Sequence, residues 1–126
     1  MIEALRAAGE PTRLRVLALL RQRDLSVGEL VQVLEQSQPR LSHHLKALTA
    51  AGLVERLPEG SFVFYRASTG SYGKAFLDSL FAQLDRDEPE LARDAARLDE
   101  VSAARAESVE GYFSNIAETG DRFFFF

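Results

Sequence analysis

Apolar residues return at the three-to-four-residue step of a helix with one buried face at Val27, Leu30, Val31, Val33 and Leu34, and again at Leu41, Leu45 and Leu48. Ser26 stands before the first run and Glu29 three residues later, a capping box in which the hydroxyl accepts from a first-turn amide that has no partner in the helix. The second run starts near Ser37 or Gln38, carries Pro39 where a missing N–H costs nothing, and stops at Gly52. The pattern therefore predicts two helices joined by a tight turn between Leu25 and Gly52.

The flanking pattern supports this unit. Ile2 to Ala8 predicts a short helix with Ile2 and Leu5 on one side, ending at Gly9; a helix this short draws its stability from tertiary or intersubunit packing. Pro11 and Thr12 start a helix to about Arg23, whose dense run through Leu14, Val16, Leu17 and Leu20 marks it as core. From Leu53 to Ala67 the period changes: β-branched and aromatic residues flank Pro58-Glu59-Gly60-Ser61, predicting a two-stranded hairpin with that tip. The helical period resumes at Ser71, with Tyr72, Phe76, Ser79, Leu80 and Leu84 in one stripe widened by Leu77 and Phe81. A helix apolar on more than one side needs two surfaces, and a dimer partner supplies the second.

Pro89 restarts the chain. Residues 90 to 117 predict a long helix carrying Leu91, Leu98, Val101, Val109, Tyr112, Phe113 and Ile116, with an alanine-rich middle that reads as an exposed arm or connector. The chain closes on Phe123 to Phe126, an apolar cluster of the kind that implies interaction or aggregation. It is buried in a partner, cut from a longer chain, or an artefact of expression or reading frame. The expected architecture is mainly α with a small β-hairpin: two helices joined by a turn and followed by a hairpin wing, the pattern of a winged helix-turn-helix, with dimerisation helices, over residues 1–88, then a C-terminal helical arm and tail over 89–126.

Length and composition narrow the chemistry. The chain has 126 residues, 46% of them hydrophobic, which suits one compact domain with a helical extension. It has no cysteine, so disulfides, thiolate metal sites, thiol switches and cysteine nucleophiles are excluded. No charged-then-apolar signal segment opens it, and no apolar run approaches the roughly 18 residues that span a bilayer, so the expectation is a cytoplasmic protein with no membrane partner. The net charge of −4 is unevenly divided: residues 1–66 carry +2 and residues 67–126 carry −6. That asymmetry fits a nucleic-acid-binding front and a solvated, partner-facing back.

The polar side of the second central helix, Gln38, Arg40, Ser42, His43 and Lys46, carries donors and acceptors with almost no acid. Base edges in the major groove are read by hydrogen bonds and phosphates are held by cations, so this is what a DNA recognition helix requires. Arg56 and Arg66 lie near the arms of the hairpin. They can reach flanking phosphates or the minor groove, or be ordinary surface arginines.

Three stretches, ALRAAGEPTRLRVLALL, DLSVGELVQVLEQSQPRLSHHLKALTAAGLVE and EGSFVFYRAS, resemble the ArsR-type (arsenic-repressor-like) winged-helix transcriptional regulators of bacteria over about the first two thirds of the chain. The resemblance implies a homodimer built on the first and fifth helices, with Ile2, Leu5, Tyr72, Phe76, Leu80 and Leu84 at the interface, and two recognition helices in successive major grooves of palindromic operator DNA. By position it makes Gln38, Arg40, Ser42 and His43 base-reading or groove-facing. It gives Ser37, His44 and Lys46 phosphate or helix-positioning contacts, with a core-edge histidine as the alternative for His44. It implies a regulator, expected to be a repressor, and no enzyme.

The chain departs from the metal-sensing members. Where thiolate sensors resemble E-L-C-V-C-D-L, it reads Asp24-Leu25-Ser26-Val27-Gly28-Glu29-Leu30, with Ser26 and Gly28 in both cysteine positions. Its only histidines, His43 and His44, lie in the recognition helix, and Asp78, Asp85, Asp87 and Glu88 read as solvated carboxylates, so no metal site is expected.

A second resemblance covers RAESVEGYFSNIAETGDR, which looks like the connector before the catalytic domain in members fused to S-adenosylmethionine-dependent methyltransferases, although Gly120 stands where a tryptophan would be. It suggests S-adenosylhomocysteine or S-adenosylmethionine as an effector, held by Tyr72, Phe76, Tyr112 and Phe113. It leaves as the alternative function the regulatory N-terminal part of a truncated methyltransferase fusion. No glycine-rich cofactor loop follows a strand here, so no methyltransferase site is expected.

Overall fold

The computed structural model describes residues 1–84 and 88–119, with side chains described up to residue 104. In chain order it forms α1 (Ile2–Ala8), α2 (Pro11–Leu20), β1 (Leu25–Ser26), α3 (Val27–Leu34), α4 (Gln38–Ala50), β2 (Val54–Glu59), β3 (Phe62–Ala67), α5 (Ser71–Gln83) and α6 (Pro89–Thr119). The mainly α fold with a small antiparallel sheet matches the sequence reading.

The capping box is present on α3: Ser26 Oγ accepts from the Glu29 amide and Glu29 Oε1 accepts from the Ser26 amide, at 3.2 and 3.0 Å. Leu30, Val33 and Leu34 are buried, and Val27 and Val31 pack on the same core. The helix ends at Glu35, which takes a left-handed conformation (φ 55°). α4 begins under a Ser37 cap with Pro39 in its first turn. It closes in a Schellman motif: the amide of Leu53 bonds to Leu48 O and that of Gly52 to Thr49 O, with Gly52 at φ +79°. Leu48 and Leu53, the apolar pair of that motif, are fully buried.

α2 stops at Leu20, three residues short of the expectation, and the amides of Gln22 and Arg23 turn back onto Leu19 O. The saved residues reach Leu25 and Ser26, which form a short strand. The sheet is therefore three-stranded, in the order β1-β3-β2, all antiparallel. The wing turn is tighter than its composition suggested. Pro58 and Glu59 pair with Val63 and Phe62, leaving Gly60 and Ser61 as the loop, and Gly60 at φ +60° supplies the conformation such a two-residue turn demands. Pro58 is tolerated because β2 is an edge strand.

α5 approaches the end of α4 very closely. A Cβ at Gly73 would stand 2.6 Å from Gly52 O and 2.5 Å from Ser68 Oγ, so only glycine fits. Along α5, Phe76 and Leu77 are buried within the chain and Leu80 and Phe81 pack on its core. Phe76 thus needs no second subunit to leave water, contrary to the argument from the apolar stripe.

The first turns of α6 are not a free arm. Leu98 is fully buried, contributing about 1.5–3 kcal/mol. Asp94 is buried under a bidentate bond from Arg15 of α2, at 2.8 and 2.9 Å. Arg97 donates to Gln32 O at 3.3 Å and lies 3.7 Å from the Glu35 carboxylate. A partly buried ion pair orients more than it stabilises, so Leu98 supplies the attraction and the arginines set the register. The expected boundary after residue 88 therefore falls between elements that share one core. The tail at 123–126 lies outside the described residues.

Candidate nucleic-acid interface

α4 separates its side chains cleanly. Leu41, His44, Leu45 and Leu48 point inward and are buried, whereas Gln38, Arg40, Ser42, His43 and Lys46 are exposed. The helix contains no acidic residue. Among the described residues no carboxylate pairs with Arg40 or Lys46, so both cations remain available to an anionic partner. Ser37 is exposed and caps the helix, its Oγ accepting from the Arg40 amide at 3.4 Å.

His44 is turned away from that face. It is only 7% exposed, and its Nδ1 accepts from Arg13 Nε at 3.0 Å. Of the roles open to it, helix positioning is the one the geometry matches: the imidazole ties the middle of α4 to the start of α2. An accepting Nδ1 puts the proton on Nε2, so the Glu10 carboxylate 3.8 Å away is a neighbour and not an ion-pair partner of the neutral ring. Burial holds the His44 pKa below the usual histidine value, helped by the charges of Arg13, His43 and Arg40 and opposed by Glu10. Burial pushes Glu10 up, but amide bonds from Arg13 and Thr12 and the charge of Arg13 outweigh it, leaving the carboxyl below its usual range.

The two wing arginines differ. Arg66 is held by Glu55 across the hairpin, with Nε and Nη2 both 2.9 Å from Oε1. The other oxygen of Glu55 accepts from the Thr69 amide and hydroxyl, at 2.8 and 3.1 Å. Those bonds, the Thr69 amide first and then Arg66, keep the Glu55 carboxyl below its usual range. Arg66 thus braces the wing against the approach to α5. Arg56 is exposed and, among the described residues, has no carboxylate partner.

Of the residues expected at a subunit interface, Ile2 (65% exposed), Leu5 (52%) and Tyr72 (52%) carry open apolar surface, Leu80 and Leu84 are half-buried and Phe76 is buried. In α1 the alanines Ala4, Ala7 and Ala8 face the core instead. Of the expected effector group, Tyr72 is exposed and Phe76 buried, and the side chains of Tyr112 and Phe113 lie outside the described residues. Among the described residues no group of three or more His, Asp or Glu side chains could hold a metal ion, and no helix is long and apolar enough to cross a membrane.

Sequence reasoning missed Glu10, Arg13, Arg15, Asp94 and Arg97. A signal existed for Glu10 alone, an acid directly before a proline at a helix start, where its carboxylate caps the Arg13 amide at 2.9 Å.

Residues 10–56 match the model of the family described as bacterial regulatory protein, arsR family. The transcriptional repressor SdpR of Bacillus subtilis is 32% identical over 69 residues, 55% of this chain and 77% of SdpR. The transcriptional activator HlyU of Vibrio cholerae is 45% identical over 65 residues, 52% of this chain and 60% of HlyU. The solved structure of HlyU superposes with a TM-score of 0.57 at 40% identity, covering 63% of this chain and 85% of that one. The homodimeric winged helix-turn-helix DNA-binding domain of Mb0332 from Mycobacterium bovis gives 0.59 at 26% identity, covering 64% and 74%.

Proposed function

We infer, given that the chain belongs to the arsR family of DNA-binding bacterial regulatory proteins and is not an enzyme, that it works as a homodimeric repressor on palindromic operator DNA. The observation that carries this reading is the acid-free exposed face of α4, set opposite a buried leucine face and held at its base by His44 and Arg13. Gln38, Arg40, Ser42 and His43 read bases; Lys46, Ser37 and the wing's Arg56 meet phosphates. Residues 1–88 carry DNA binding and dimerisation, and residues 89–126 form a C-terminal helical arm and tail, the first turns of the arm being anchored on α2 and α3. The homodimer is supported by the apolar surface left open on α1 and α5, and by Mb0332, whose domain is homodimeric. Repression is supported by SdpR; HlyU, an activator, marks the other sign within the same similarity.

The test is an operator selected from random duplexes and titrated at several salt concentrations. Arg40→Ala costs about 1–3 kcal/mol and relaxes discrimination at one operator position, whereas Lys46→Ala weakens all sequences alike and lowers the salt slope by about 1. Discrimination by Arg40→Ala equal to the parent's sinks the base-reading assignment, and salt-independent binding sinks the operator reading. Transcription in vitro from the selected promoter, falling with added protein, decides the sign.

An effector of the S-adenosylhomocysteine type is the finer part of the reading, supported by the resemblance of the 105–122 stretch to a methyltransferase connector. Such a ligand raises the melting temperature with concentration, by mass action on the folded state. No shift at saturating S-adenosylhomocysteine removes that identity.

A further inference from the structure

Between the end of α2, the second half of α5 and the first turns of α6 lies a shallow, solvent-open cleft of about 580 Å³. Its walls are low because each helix contributes alanine: Ala18 from α2, Ala82 from α5, Ala92 and Ala95 from α6. Phe81 adds an aromatic surface. The polar end is built around Arg21, whose guanidinium carbon stands 4.7 Å from the Phe81 ring centroid and whose Nη2 donates to Asp78 Oδ1 at 3.1 Å. Asp78 is shared, its other oxygen accepting from Lys74 Nζ at 2.8 Å. Among the described residues, Asp78 thus takes both Arg21 and Lys74. Arg21 spends one of its five N–H groups on that carboxylate, while Phe81 fixes the plane of the rest.

We propose that this cleft is the effector site of the regulator, and that it takes a planar ring compound bearing a carboxylate. The ring lies between the alanine walls beside Phe81, and the carboxylate completes the charge balance on Arg21. The site rests on the regulatory reading above and deepens its effector half, moving the pocket from Tyr72, Phe76, Tyr112 and Phe113 to the second half of α5 and the first turns of α6 against the end of α2. Its wall on α6 belongs to the same turns that hold Arg15 through Asp94 and reach Gln32 O and Glu35 through Arg97. Occupancy thus bears on the helix that braces the turn before α4.

The test uses the full chain and three probes that share one ring system: 2-naphthoate, its amide, and 2-naphthylmethylamine as the cation. Calorimetry is expected to show saturable binding of 2-naphthoate, one per chain, at least tenfold tighter than the amide and with no binding of the amine. Arg21→Gln brings carboxylate and amide to the same affinity. Ala92→Phe, which fills the cleft, abolishes both while the melting temperature stays at the parent's level. Binding unaffected by Ala92→Phe, equal affinity for carboxylate and amide in the parent, or no saturable binding by a protein that still binds its operator each overturns the site. So does a change of oligomeric state in Ala92→Phe without ligand binding in the parent, which makes the cleft a seat for a second copy. Should Ala92→Phe fail to fold, Arg21→Gln on the surface still decides between carboxylate recognition and none. Failure to bind any duplex DNA, with the probe results as expected, overturns the operator reading and leaves the cleft standing.

Discussion

His44 occupies a recognition helix without facing what that helix recognises. Its neutral ring is selected by the fold, because burial lowers its pKa and its Nδ1 must accept from Arg13. With the folded value below the unfolded one, the unfolded chain binds more protons between the two values, so stability rises with pH in that window. The contribution is complete above the unfolded histidine value near 6.5 and drains away as pH falls from there towards the lowered folded value. Urea denaturation at stepped pH is expected to show this acid loss in the parent and in His43→Gln, and to show it diminished in His44→Gln. An undiminished loss in His44→Gln places the titration elsewhere. The exposed half of α4 was legible in the sequence because polarity and spacing are local. The inward role of His44 was not, because its partner lies 31 residues away and no short-range pattern encodes that pairing.

At the scale of elements, the parts that were readable are those whose signals sit within a few residues. The capping box of α3, the proline at the start of α4 and the glycine at its end all act through neighbouring amides and carbonyls. The third strand escaped notice since two residues carry no period, and the anchoring of α6 escaped it since one leucine and one aspartate in an alanine-rich tract make a faint stripe. The meeting of α5 with α4 escaped it too, because glycine at position 73 reads as a weak helix former until the carbonyl beside it is seen. Gly73→Ala is expected to lower stability by about 1–3 kcal/mol through overpacking against Gly52 and Ser68, although alanine is the better helix former. A urea midpoint that falls while the slope is unchanged confirms it; a midpoint that rises shows that the crossing yields.

At the scale of the whole molecule, charge is divided unevenly along the chain. Residues 1–66, which carry α4, sum to +2 and residues 67–126, which carry α5 and α6, sum to −6, so the net charge of −4 does not oppose an anionic partner at the acid-free exposed face of α4. Among the described residues, large apolar side chains stand exposed on α1 (Ile2, Leu5), at the start of α5 (Tyr72) and on the wing (Phe62), and the proposed dimer draws on the first two surfaces. Leu5→Glu places a charge on that surface without touching the buried alanines of α1. It is expected to yield a folded monomer by sedimentation, to remove the concentration dependence of the melting temperature, and to weaken operator binding roughly tenfold or more, about 1.4 kcal/mol for each factor of ten. A Leu5→Glu protein that still sediments as a dimer moves the interface off α1.

The crossing of Gly52 and Gly73 has one further consequence. Most helix contacts are cushioned by side chains, which can change rotamer and take up small displacements before a neighbour feels them. Here Gly73 of α5 faces the Gly52 carbonyl, main chain against main chain with only the small Ser68 side chain beside them, so little compliance is left to exhaust. A tilt of α5 is therefore expected to reach the end of α4 directly, and drift at either glycine to be tolerated only if the other side of the joint moves with it.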